Sequence, residues 1–358
     1  MSDTSHGIGG LSFDPRKRVL PPEFGVAIAL VLIVAVFELL GRVVMHDSFL
    51  FNTRDDVSGL FNQARLQIII LQVSIIGIIA LGVTQVILTG GIDLSSGSVV
   101  GATAMIAMSF AQVGEINGMP NTRAVFFEQG WVNLPVLVPL VVGVGCGLLA
   151  GLINGSLIAY TGIPPFIATL GMMVSARGMA KWWTAGQPVS FPTEAYAGIG
   201  AGMMPVVIFI LLALLFHLIL GYTVYGKHTY AIGSNEAAAR MSGINVKRHK
   251  VMVYAIAGLL AGIAALVLSS KNLTAQAGMG AMYELDAIAM AVIGGISLQG
   301  GRGSILGTVL GALIFGVIIS GFTFLKLDAY YQEMVKGAII VGAVVLDQWR
   351  QRRSAARL

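Results

Sequence analysis

Long apolar runs separated by short polar stretches make up most of the chain. Ten of them stand out: residues 24–44, 66–89, 97–113, 134–158, 164–180, 203–221, 250–270, 284–299, 304–324 and 333–348. About 20 apolar residues in an α-helix cross the hydrocarbon core of a bilayer. The pattern predicts an all-α, polytopic transmembrane bundle of about ten spans. The pieces near 97–113, 164–180 and 284–299 are short or broken by glycine, and read as re-entrant or partial. The first run, Phe24 to Val44, is longer than a signal-peptide apolar region and has no small-residue cleavage site, so it reads as a retained helix. The predicted organisation is a polar tail (1–23), a membrane domain (24–348) with a long loop at 222–249, and a basic tail (349–358).

Composition sharpens this picture. Of the 358 residues, 56% are hydrophobic and 11% charged, against about 25% charged in ordinary soluble domains. So few charges cannot coat a soluble globule of this size, which excludes a soluble enzyme. Glycine, at 46 residues, suits helices packed closely in a membrane. Cys146 is the only cysteine, so no disulfide framework and no cysteine metal site is expected. Neither a metal nor another cofactor is expected.

The net charge of +5 fits the concentration of basic residues on the cytoplasmic side of membrane proteins, and does not require nucleic acid. With ten crossings and the N-terminus inside, thirteen basic residues lie in the cytoplasm: Arg16, Lys17, Arg18, Lys227, Arg240, Lys247, Arg248, Lys250, Arg302, Arg350, Arg352, Arg353 and Arg357. Seven lie outside: Arg42, Arg54, Arg65, Arg123, Lys181, Lys271 and Lys326. Both termini are therefore expected in the cytoplasm.

Glycine also recurs every four residues at 143, 147, 151 and 155, at 303, 307 and 311, and at 258 and 262. That spacing puts each set on one helix face, as a static packing stripe or a sliding seam. An internal echo accompanies the stripes. Gly90-Gly91-Ile92-Asp93-Leu94-Ser95 is matched by Gly294-Gly295-Ile296-Ser297-Leu298-Gln299. Each string follows an apolar run and precedes a Gly- and Ser-rich start of the next. Glycine-interrupted segments at matching positions mark the pathway in many transporters built from repeats. Asp93 itself reads either as an N-cap of the following helix or as a pathway residue.

The loop YTVYGKHTYAIGSNEAAARMSGINVKRHK predicts a short helix outside the bilayer. Ser234 and Asn235 are N-cap types, Glu236 suits a first turn, residues 237–241 are helix formers, and Gly243 suits a left-handed end. Glu236 and Arg240 are one turn apart and are placed to pair with each other or with a partner. The string Gly221-x-x-x-x-Gly226-Lys227 is followed by His228 and lacks a preceding strand. It therefore fails the phosphate-loop pattern, and nucleotide binding by this chain is rejected.

Ionisable groups in the apolar runs are few: Glu38, Arg177, His217 and Lys336, with Asp93, Glu284, Asp286 and Asp347 near their ends. A secondary transporter or channel that needs no ATPase is the alternative class, and ion coupling in it would have to use these groups.

Four strings resemble one family. GGIDLSSGS (90–98), NGSLIAYTGIPPFIATLGMM (154–173), AIGSNEAAARMSGINV (231–246) and LDAIAMAVIGGISLQGGRGSILGTVLGALIFGVI (285–318) are similar in order and spacing to the inner-membrane permeases of ribose-, xylose-, galactose- and inositol-type ABC importers. The likeness covers roughly residues 65–348. It implies a bacterial inner-membrane homodimer that works with a cytoplasmic ABC ATPase and a periplasmic sugar-binding protein, and has no catalysis of its own. Carried over, residues 234–243 become the coupling helix, with Ser234, Asn235, Glu236, Ala239, Arg240 and Gly243 facing the ATPase. A neutral monosaccharide or cyclic polyol (pentose, hexose or inositol) is the implied solute. Candidates for gating or the pathway are Gly90, Gly91, Asp93, Ser95, Asn154, Phe166, Thr169, Gly294 and Gly295, with Gln67, Gln72 and Gln85 as further polar groups. Polyol recognition calls for such hydroxyl and amide groups beside an apolar or aromatic wall. The resemblance assigns no role to residues 1–23 or to the loop 114–133.

Overall fold

A computed structural model describes residues 22–52 and 60–355. The basic run Arg16, Lys17 and Arg18, and also Arg54 and Arg357, lie outside the described residues.

Each of the ten apolar segments forms a helix. In chain order the helices are α1 (Pro22–Leu40), α2 (Gln63–Leu88), α3 (Ser96–Ser109), α4 (Leu137–Ser156), α5 (Pro165–Trp183), α6 (Glu194–Ala197), α7 (Met204–Tyr222), α8 (Val224–Ser234), α9 (Glu236–Met241), α10 (Val246–Asn272), α11 (Tyr283–Ile293), α12 (Ile305–Phe324) and α13 (Ala329–Ala355). Among the described residues, six helices are long and apolar enough to cross a membrane: α1, α2, α4, α7, α10 and α12. Of the three segments read as partial, two are short helices, α3 and α11, with 14 and 11 residues. The third, α5, has 19 residues and is no half-helix. At the C-terminus, α13 runs on to Ala355 with no break at residue 348. Gln, Arg and Ala in that stretch are good helix formers, so the basic tail extends the last helix.

The core is built around α2 and α10. Of the residues of α2 from Val73 to Leu88, all are buried. Helix α10 packs chiefly on α4, and also on α2 and α3. Two of the glycine stripes turn out to be one seam. A Cβ on Gly147 would strike the carbonyl of Gly258, and one on Gly151 would strike that of Tyr254. The third stripe pairs with the second echo string, because a Cβ on Gly307 would strike the carbonyl of Gly294 and one on Gly311 that of Met290. Small residues here let backbones touch.

The 114–133 region is ordered rather than a plain loop. Strands β1 (Glu115–Ile116) and β2 (Met119–Pro120) form a hairpin. Farther along, β3 (Val189–Ser190) pairs with β4 (Thr274–Ala275). Gln112 ties the two pieces together, its Nε2 donating to the carbonyl of Ser190 (2.9 Å) and its Oε1 accepting from Val125 N (2.8 Å). This cap lies at the end of the bundle away from α9.

Candidate functional site

The echoed strings make the same kind of turn. After α2, Gly90 takes φ +77° and Gly91 N donates back to Val86 O (3.0 Å). After α11, Gly295 takes φ +92° and Ile296 N donates back to Ala291 O (3.0 Å). Both are left-handed helix ends, which glycine adopts at little cost. The second helix ends one residue later relative to its string, so the left-handed position is Gly295 and not Gly294. Each turn is then braced by a short polar side chain. Asp93 Oδ1 accepts from Ser95 N (2.8 Å) and from Ser95 Oγ (2.6 Å). Ser297 Oγ accepts from Gln299 N (3.3 Å).

The N-cap reading of Asp93 needs correction. The residue at the start of α3 is Ser95, which makes no side-chain cap bond. Asp93 shapes the turn ahead of the helix, because its bond goes to Ser95 N and not to a first-turn amide.

Four of the candidate residues come together behind the first turn. Asp93, Ser95, Asn154 and Thr169 are all buried. Asn154 Nδ2 on α4 donates to Ser95 Oγ (2.9 Å). Thr169 Oγ1 on α5 donates to Pro165 O in its own helix (2.9 Å), with a longer contact to Ile92 O (3.4 Å). Tyr254 of α10 closes the group, because a Cβ on Gly91 would strike its hydroxyl. Ser96 Oγ, Asn154 Oδ1 and Tyr254 OH are buried with no hydrogen-bond partner among the described residues. An unsatisfied buried polar atom costs about 1–3 kcal/mol, so this cluster is an unusual thing to bury. Phe166 does not join it. Its side chain is half exposed on the outer face of α5, and it supplies no wall to these polar groups. Gln85 serves structure, linking Leu81 O and the hydroxyl of Tyr225, while Gln67 and Gln72 are exposed.

The loop helix forms as its sequence predicts, with one change. Asn235 is the N-cap, its Oδ1 accepting from Ala238 N (3.0 Å). Gly243 takes φ +86° after the helix, with Ile244 N donating back to Ala239 O (3.2 Å). Ser234 caps nothing here. It ends α8, a helix that the reading of the loop missed, although Thr223 at its N-cap and buried Gly226, Thr229 and Ile232 carry a helical period. Ala239 is buried against Ile232 and Val246, which holds α9 on the body of the protein. Glu236 is bonded twice, to Arg240 Nη2 (3.0 Å) and to Lys250 Nζ (2.8 Å). The Lys250 ammonium holds its carboxyl below the usual carboxylate range, with Arg240 adding to the effect. Arg240 itself stays exposed.

A junction of glycines connects these pieces. Gly301 N donates to Leu88 O at the end of α2 (2.9 Å). A Cβ on Gly233 of α8 would strike Leu88 O and lie 2.5 Å from Gly301 N. Tyr230 OH of α8 donates to Gly303 O (2.9 Å). The helix before α9 therefore rests on the end of α2, just ahead of the first echoed turn, and on the glycines that follow the second. Gly233 and Tyr254 were not among the residues singled out from sequence. Nothing in a single chain marks a lone glycine or a buried tyrosine as a contact between distant segments.

Residues 65–344 match the family described as "Branched-chain amino acid transport system / permease component". The ribose import permease protein RbsC of Bacillus subtilis is 38% identical over 347 residues, 94% of this chain and 95% of the relative. RbsC of Escherichia coli strain K12 is 38% identical over 304 residues, 82% of this chain and 87% of the relative. The chain belongs to the sugar import permease family. The galactose/methyl galactoside import permease protein MglC of Haemophilus influenzae is 37% identical over 291 residues, 78% of this chain and 84% of the relative. As a sugar import permease with six apolar helices, it is a multi-pass inner-membrane protein. No solved structure matches the chain.

Among the charges within and beside the helices of this permease, most are engaged. Glu38 accepts from Arg42 Nε (2.9 Å) and from the amides of Phe49 and Leu50 (both 3.0 Å). Lys336 pairs with Asp286 at 3.2 Å. Arg177 donates to the carbonyls of Ala277 and Met279.

Proposed function

We propose that this chain is the membrane-spanning subunit of an ATP-driven importer. It passes a neutral monosaccharide or cyclic polyol (a pentose, a hexose or inositol) from a periplasmic binding protein to the cytoplasm. In this reading it works as a homodimer with a separate ABC ATPase, with both termini in the cytoplasm and about ten crossings. The relatives named as ribose and galactose permeases support the solute class.

The observation that carries the mechanism is the glycine junction. Helix α9 presents exposed Arg240 on a short, well-capped helix, and α8 connects it rigidly to Gly233. At Gly233 the backbone touches the ends of α2 and of the second echoed turn together. A push on α9 from a closing ATPase therefore reaches the turns at Gly90–Ser95 and Gly294–Gln299 without passing through flexible chain. Coupling of this kind requires the ATPase to bind the two arrangements of the permease with different affinity. The alternative, a transporter without an ATPase, draws little support from the helix charges, which are mostly committed to structural partners.

Co-purification from membranes through a C-terminal tag tests this reading. The expected result is an ATPase in stoichiometric amount, strongly depleted when Glu236→Lys and Arg240→Glu are combined. A chain that emerges alone and moves ribose into liposomes without ATP would overturn it.

A further inference from the structure

Helices α3 and α11 are half-length, and they start beside each other. With 14 and 11 residues at about 1.5 Å per residue they span roughly 21 Å and 16 Å, together close to the roughly 39 Å of α2. They run in opposite directions. Ser109, the last residue of α3, takes a hydrogen bond from Trp183 Nε1 (3.0 Å) at the end away from α9, whereas α11 leads into the glycine junction. Their starts are in contact, since a Cβ on Gly97 would strike both Glu284 Oε2 and Gly280 O. Two helix N-termini therefore meet inside the bundle, the arrangement that discontinuous helices give at transport sites.

A cavity of about 420 Å³ opens between this meeting point and α5, lined by Ser98, Arg177, Gly178, Lys181, Met282 and Glu284 among others. That is within the size range of small-molecule sites. Glu284 is only 7% exposed, and its Oε2 has no hydrogen-bond partner among the described residues. An unpaired buried carboxylate oxygen is costly; this one lies against Gly97, and a hydroxyl donor would remove the cost once the starts of α3 and α11 part enough to admit it. Arg177 fixes the segment before α11 through Ala277 O (2.7 Å) and Met279 O (3.0 Å), and Met282 gives an apolar wall.

We infer that this cavity is a station for a neutral polyhydroxy solute, a monosaccharide or cyclic polyol, on its way through the protein. The charge pattern fits that class and disfavours a simple anion or a simple cation. An anion would meet Glu284, and a cation would meet Arg177 and Lys181. A neutral polyol donates to the carboxylate, accepts from the cations and lays its C–H face on methionine. The inference rests on the import reading above, and it names the first side chains that would touch the solute.

The test uses proteoliposomes holding the assembled importer, with ATP inside, and measures uptake of D-ribose, D-galactose and myo-inositol together with ATP hydrolysis. Glu284→Gln keeps the shape and removes the charge. It is expected to lower uptake of the transported sugar roughly tenfold and to change the ratio among the three solutes, while ATP hydrolysis stays near that of the wild type. Gly178→Phe fills the cavity from a position with no neighbouring atom within 4 Å, so it tests the site even if Glu284→Gln fails to assemble. It is expected to block uptake with ATP hydrolysis retained. Wild-type uptake and solute ratio in an assembled variant would overturn the station and leave the import reading intact. Wild-type liposomes that import none of the three solutes with ATP would overturn the import reading, and the station with it.

Discussion

The turns after α2 and α11 share a sequence and a backbone bend, yet they are held by different neighbours. In the first, Asp93 and Ser95 are buried and linked through Asn154 to α4, with Tyr254 of α10 over Gly91. In the second, Gly295 and Gln299 are exposed, and the glycines that follow rest on α8 at Gly233 and Ser234. The first turn is therefore tied to α4 and α10, and the second to α12 through Gly294 and, through the glycines after it, to the segment that carries α9. They meet where Gly301 N donates to Leu88 O. Repeating a glycine string repeats the local bend, because the left-handed helix end is a local property. What the bend moves against is set by the residues around it.

Substitutions in the two turns should separate these jobs. The largest effect is expected at Gly301, where a Cβ would lie 2.8 Å from Ser234 N and the backbone has φ +71°. Gly301→Val should lower ATP-driven uptake by about 100-fold, the upper range of coupling energies, with ATP hydrolysis retained. Gly91→Val presses on Tyr254 and Val86 instead. It should destabilise the bundle by about 1–3 kcal/mol, read as a lower melting temperature in detergent. If both variants show the same loss of stability, the division of labour is wrong.

Combining Glu236→Lys with Arg240→Glu should leave the protein inserted and reduce uptake about tenfold. Lys250 then faces a lysine in place of its carboxylate partner. Normal uptake by the double variant would rule out the coupling role of α9.

Asp93→Ala removes the acceptor for Ser95 N and Oγ, and should cost about 1–3 kcal/mol of stability. Ser297→Ala removes the longer bond from Gln299 N together with the other contacts of the hydroxyl, and should cost about 0.5–1.5 kcal/mol. Thermal melting of the two variants side by side gives the comparison. Normal melting with lost transport in Asp93→Ala would assign Asp93 to the pathway rather than to the turn.

The smallest effect is on pH. Glu236 is held below the ordinary carboxylate range by Lys250 and Arg240. Its contribution to anchoring α9 is therefore fully present above that range and is lost as the pH falls through the lowered value. Both partners are partly exposed, so solvent screening keeps each pair near 0–1 kcal/mol. Amide protection factors across residues 236–243, taken relative to intrinsic exchange at each pH, should fall only at acidic pH, and Glu236→Gln should abolish that dependence.

Much of this was legible in the sequence because it is local. Apolar runs define helices, Asn235 and Gly243 bracket α9, and a double glycine ends α2. Ser234 falls one residue and Asp93 two residues ahead of the actual caps, Asn235 and Ser95, since several cap-type residues stand close together and only the backbone decides which one caps. The relations that matter most to function are not local. Two glycine stripes on α4 and α10 give no sign that they face each other, and Gly233 gives none that it touches Leu88 and Gly301. Phe166 reads as a ring suited to a sugar, yet its helix turns it outward. Glu284 reads from sequence only as an ionisable group near the end of an apolar run; its contact with Gly97 is set by the fold.

The claim that α9 drives both turns through Gly233 is tested most directly by the ratio of sugar imported to ATP hydrolysed in proteoliposomes. The measurement compares the wild type with Gly233→Val, in which added bulk strikes Leu88 O and crowds Gly301 N. The account predicts ATP hydrolysis near the wild-type rate and a collapse of the ratio. An unchanged ratio with full uptake would contradict it.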